Sequence, residues 1–179
     1  MAELIPDDQA VVPPRRGTAA RMLEHLVTWW ALAGGGVFVA IVIMSIVSIV
    51  GRKLFSSPVD GDMELLMMGA AVGSASFLAV CEMDDHHIKV DALTTWMSAR
   101  GRAVLDVIAH GLLAFAAAIL SWRTALYMLE SHENMEVSPL LLVPIWQPVL
   151  LMVPSFVLLA LAALYRTGVS FRSVIGGAQ

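Results

Sequence analysis

The densest chemistry in this chain lies in one short run, CEMDDHHIKVDAL, residues 81–93, with four acids, two adjacent histidines, a lysine and the only cysteine of the sequence. A metal site built there would draw on His86, His87 and Asp84 or Asp85. Side chains adjacent on a helix diverge instead of converging. A structural zinc site also wants about four ligands, with thiolates frequent among them, and Cys81 belongs to the end of an apolar segment. The expectation is no metal and no cofactor here, only a return of the chain to water. A second pair, Asp106 and His110, stands four residues apart and so on one helix face. An acid beside a histidine inside a membrane can relay protons. Asp106 lies only a turn from Gly101 and Arg102, however, shallow enough to reach water or an arginine, and a structural polar contact is preferred. Glu64 opens another apolar run, at a helix N-terminus that favours negative charge. It is placed to pair across a short loop with Arg52 or Lys53.

These residues depend on the elements that carry them. Of the 179 residues 58% are apolar and 15% charged, which points to a membrane chain. Crossing a hydrocarbon core of about 30 Å takes roughly 20 apolar helical residues. Four spans qualify, at about 28–50, 65–81, 103–122 and 144–165. The second is rich in Gly, Ala and Ser, which allow helices to approach closely in lipid. The fourth is expected to start near Pro144, because proline is tolerated in a first helical turn. The third is expected to run on past Trp122, where Leu126 and Leu129 repeat at helical spacing. No ten-residue alternation of a membrane barrel appears. The fold class is therefore an all-α integral membrane protein of four transmembrane helices.

Orientation follows from the lysines and arginines of the short flanks. Arg15, Arg16, Arg21, Lys89, Arg100, Arg102, Arg166 and Arg172 fall on one side, against Arg52, Lys53 and Arg123 on the other. Both termini and the central loop are thus expected to be cytoplasmic. That loop should hold a short interfacial helix over 90–102, with Trp96 at headgroup depth and with His87 and Asp91 placed to hydrogen-bond if the helix starts early enough. The chain divides into a leader at 1–26, read as uncleaved, a membrane body at 27–165 and a tail at 166–179.

Several short marks then fall in order: GRKLF after the first span, Glu64 opening the second, HIKVDAL at 87–93, SPLLLVPIW at 138–146 and Pro154 beyond. In their order and spacing over 27–165 they resemble the small membrane subunit of a tripartite ATP-independent periplasmic (TRAP) transporter. The sequence departs from that pattern at EMDDHH, where a small or basic residue would precede the histidine, and at Pro148. The resemblance implies a bacterial inner-membrane protein that is no enzyme and binds no substrate itself. It would support the fixed scaffold of a large multi-span subunit. That subunit imports an organic acid, such as a dicarboxylate, on a sodium gradient with a periplasmic binding protein. The partners implied are that large subunit, the binding protein and the bilayer, with no nucleic acid.

Other classes fare worse. A four-helix cytochrome needs paired axial ligands, and only His110 falls within a span. Thiol exchange needs a second cysteine. A membrane scaffold or assembly subunit of an unrelated inner-membrane complex is the alternative that stays open. For either role the working surface is expected in lipid, on the first and second spans with help from the fourth. Gly34, Gly35, Gly36, Gly69 and Gly73 would provide low relief there, and Arg52 and Glu64 would fix the angle of approach.

Overall fold

The computed structural model describes residues 18–55, 59–84 and 99–176. They form four helices: α1 (Thr18–Phe55), α2 (Asp62–Met83), α3 (Ala99–Glu133) and α4 (Trp146–Gly176). Among the described residues there is no strand, only an isolated antiparallel bridge between Val137 and Pro144. All four helices are long and apolar enough to cross a membrane. Such segments fold as helices because lipid offers no partner for a backbone N–H or C=O, so each must be satisfied within its own segment. The same constraint acts on the hydroxyls. Ser45, Ser74, Ser76, Ser155 and Thr167 each donate to the carbonyl four residues earlier, which lets a polar side chain sit in an apolar helix.

The helices outrun the apolar spans that announce them. The first starts ten residues before Thr28, where Leu23 and Val27 already pack on the core. The third begins at Ala99 and continues to Glu133, so residues 99–102 of the expected interfacial helix belong to α3. Its remainder, with His87, Asp91 and Trp96, lies outside the described residues. The fourth starts at Trp146, two residues after Pro144. Pro144 is held in the bridge to Val137, while Pro148 falls in the first turn, where a missing N–H is harmless. Pro154 sits inside α4. Beside it, Ser155 accepts a hydrogen bond from the Trp30 indole at 2.8 Å, linking α4 to α1.

Packing runs α1 on α2, α2 on α4 and α4 on α3. The core is small-featured, built from Val27, Ala79, Met83, Ala117, Leu159 and Ala162, because van der Waals fit holds helices together where hydrophobicity cannot tell protein from lipid. The α1–α2 seam has the tightest fit. A Cβ on Gly34 would meet Ser76 at 2.5 Å, one on Gly69 would meet Ile41 at 2.6 Å, and one on Gly73 would meet the Phe38 ring at 2.5 Å. The helix that approaches Gly69 and Gly73 is thus α1 of the same chain. Gly35 makes ordinary contact with Phe77, and Gly36 opens to the outside.

Candidate functional site

Two polar clusters stand at opposite ends of the bundle. At the end where α2 stops and α3 starts, the Glu82 side chain is wholly buried and its Oε1 lies 2.6 Å from Nδ1 of His110, itself 6% exposed. Glu82 reaches the interior because the buried stripe of α2, Val72, Ala75, Ser76 and Ala79, continues at helical spacing to Glu82 and Met83. The apolar core group that includes Ala79 and Met83 extends over this part of α2. A carboxyl group and an imidazole at this distance are hydrogen-bonded, and low polarity strengthens such a bond. The sequence places His110 with Asp106. The structure places it with Glu82, a residue that the sequence assigns to the loop because apolar character stops at Cys81. Asp106 is half-buried one turn earlier on α3.

At the other end, Gly61 takes a left-handed backbone (φ 72°) to start α2, and Leu141 packs where a Cβ would stand. Asp62 Oδ2 accepts the Ser48 hydroxyl and, at 3.2 Å, the Arg52 guanidinium. Of the two cations expected opposite Glu64, Arg52 and Lys53, the arginine bonds to Asp62, two residues closer to the turn. Glu64 instead reaches across to the α3–α4 loop. Its two carboxylate oxygens accept the backbone N–H groups of Leu140 and Leu141, at 2.8 and 3.1 Å. That loop is a folded unit. Ser138 N–H donates to Val143, Ile145 N–H donates to Glu136, and Leu142 is held at φ 53°. The His132 and Trp146 rings meet edge to face at 5.3 Å and close the ends of α3 and α4.

Glu64 therefore acts as an anion clamp on main-chain donors, which would otherwise lack partners at the loop tip. Glu64→Ala is expected to speed hydrogen exchange at the Leu140 and Leu141 amides, and Glu64→Gln to do so less, because an amide oxygen still accepts. Unchanged exchange in Glu64→Ala would refute the clamp.

Among the described residues, neither cluster opens a polar cavity for a small acid; a separate cavity of about 520 Å³ on α3 is lined by Arg123, Tyr127, Glu130 and Glu133 together with Leu126 and Leu129. The groove between α1, α2 and α4, of about 400 Å³, is lined by apolar side chains such as Val37, Ile41, Met44 and Met68, and Gln147 is its one polar lining residue. Among the described residues, no three of His, Cys, Asp and Glu gather where they could hold a metal ion. His86 and His87 lie outside those residues.

The family model described as "Tripartite ATP-independent periplasmic transporters, DctQ component" matches residues 41–173. No curated protein and no solved structure matches significantly.

Proposed function

Because the chain belongs to the DctQ component family of the tripartite ATP-independent periplasmic transporters, we propose that it is the small membrane subunit that braces the scaffold of a large multi-span subunit without binding substrate. The transported solute is an organic acid, carried on an ion gradient and delivered by a periplasmic binding protein. The observation that supports a bracing role is where the polar groups are used. Ser48, Asp62, Glu64, Glu82, His110 and Ser155 all bond within the chain, while apolar side chains such as Ile43, Phe115 and Leu161 face outward and the charged Arg123, Glu130 and Glu133 stand at the end of α3. A substrate or ion pathway needs polar groups directed into a cavity. Here those six fasten helix to helix and helix to loop.

The test is uptake of a panel of radiolabelled organic acids by cells lacking this chain, the large subunit or the binding protein. All three deletions should lose uptake of the same acid. Loss on removing the other two, with uptake intact when only this chain is absent, contradicts the proposal.

Topology is part of the proposal. Four crossings would put both termini on one side, and the lysine and arginine distribution supports the cytoplasm as that side. A reporter that folds only in the cytoplasm should be active when fused after Gln179, and a periplasm-specific reporter silent. The reverse pattern would invert the orientation.

A further inference from the structure

Past Trp122, α3 runs on to Glu133 and carries the cavity of about 520 Å³ lined by Arg123, Leu126, Tyr127, Leu129, Glu130 and Glu133. Residues 103–122 rise about 30 Å at 1.5 Å per residue, the thickness of a hydrocarbon core. Trp122 and Arg123 therefore stand at its edge, among lipid headgroups, where an indole and a snorkelling cation are favoured. Glu130 lies about 10 Å farther out along the axis. Long side chains on a helix lean back toward its N-terminus, which brings the Glu130 carboxylate down to the cavity that it shares with Arg123. On the hydrocarbon side, exposed apolar residues advance in steps of four and three through Ile108, Leu112, Phe115, Ile119 and Trp122 to Leu126. Leu126 belongs to the cavity wall, so a surface fit for an acyl chain leads straight into a chamber of mixed charge.

The order of those charges names the occupant. A phospholipid holds its phosphate next to the acyl chains and, when zwitterionic, its ammonium farther out. The helix offers the complement in the same order, a guanidinium at the hydrocarbon edge and then two carboxylates. Among the described residues no side chain pairs with Arg123, Glu130 or Glu133, and Tyr127 turns its hydroxyl to Glu136 at 3.5 Å. The phosphate thus falls to Arg123 and the ammonium to the two acids. One cation against two acids leaves the cavity net negative, which disfavours a headgroup that is itself anionic. A primary ammonium has three N–H donors for those carboxylates, whereas a quaternary one has none. We propose that this end of α3 is a headgroup site for phosphatidylethanolamine. Arg123 takes the phosphate through paired N–H donors, Glu130 and Glu133 take the ammonium, and an acyl chain lies along Phe115 and Ile119. It rests on α3 crossing a bilayer and holds whichever subunits the chain joins.

The full chain, purified in detergent, is titrated with phosphatidylethanolamine, phosphatidylcholine and phosphatidylglycerol of matched acyl chains, and bound lipid is read by native mass spectrometry. Phosphatidylethanolamine should be held about tenfold more tightly than the other two, roughly what one hydrogen bond to a charged group contributes. Arg123→Ala should abolish that binding, and Glu130→Gln with Glu133→Gln should bring phosphatidylethanolamine down to the level of phosphatidylcholine. Melting should not change in either variant, because all three side chains are exposed. Glycerophosphoethanolamine, the same head without acyl chains, should fail to compete. In membranes that express the whole transporter, a benzophenone amino acid at Leu126 should give a lipid adduct on illumination. Equal retention of the three lipids, or a preference that survives both variants, overturns the proposal. So does competition by the chainless head, which would make this a site for a soluble ligand, or an adduct of Leu126 with another protein, which would make it a docking surface. None of these outcomes touches the subunit reading, which uptake and copurification test.

Discussion

His110→Ala should be among the most damaging single changes in the molecule. It takes the imidazole from a carboxyl group with no exposure to water, and breaking a buried pair from one side costs roughly 2–4 kcal/mol. Thermal unfolding of the purified chain in detergent should show the loss, and Glu82→Ala should show one of similar size. The more informative variant changes both residues. Glu82→Met with His110→Leu removes both polar groups and keeps much of the volume, and such double replacements are often neutral or stabilising. If the pair only ties α2 to α3, the double variant should regain stability and support uptake. A stable double variant that does not transport would instead make the pair a working proton site and contradict a purely structural role.

The second large effect is expected at the α1–α2 seam. Gly69→Leu with Gly73→Leu drives side chains into Ile41 and the Phe38 ring, which leave no room even for a Cβ. Overpacking of this kind costs about 1–3 kcal/mol per site. The chain should still insert, since the change makes the span more apolar, but α1 must move off α2. Recovery of the large subunit and uptake should both fall as a consequence of that internal displacement. Gly111→Ala and Gly168→Ala are the matched controls. Both positions face open space, and replacing a helical glycine with alanine typically gains about 0.5–1 kcal/mol. Normal recovery and normal melting of the double leucine variant would show that the seam is looser than the structure has it.

What was legible in the sequence follows the reach of each physical signal. Hydropathy over twenty residues reports a helix directly, so the four spans and the helical class could be read from residues such as those of 28–50 without any partner in view. The ends were less legible, because a helix held by tertiary packing continues past the apolar window, as α1 does through Leu23 and α2 past Cys81, although the spacing of Leu126 and Leu129 did announce the run of α3 past Trp122. Glu82 was missed for that reason. Its signal was present in the small-residue stripe of α2, which one further helical step carries from Ala79 to Glu82 and Met83. Glycines at 69 and 73 announced a close helix approach but not whose helix, since lipid-facing and partner-facing contacts leave the same small residues. The clamp of Glu64 on Leu140 and Leu141 and the Trp30 to Ser155 bond join residues 76, 77 and 125 positions apart. Nothing in local periodicity encodes such pairings.

Whether this chain works as a bound subunit of a larger permease is decided by copurification. The chain is tagged at its C-terminus and extracted in mild detergent from membranes that express the whole system, and the coeluting proteins are identified by mass spectrometry. The account predicts one dominant partner, a large multi-span membrane subunit of the same transporter, retained through a size-exclusion step. Elution of the chain alone from membranes that contain that subunit, or with the components of an unrelated membrane complex, would contradict it.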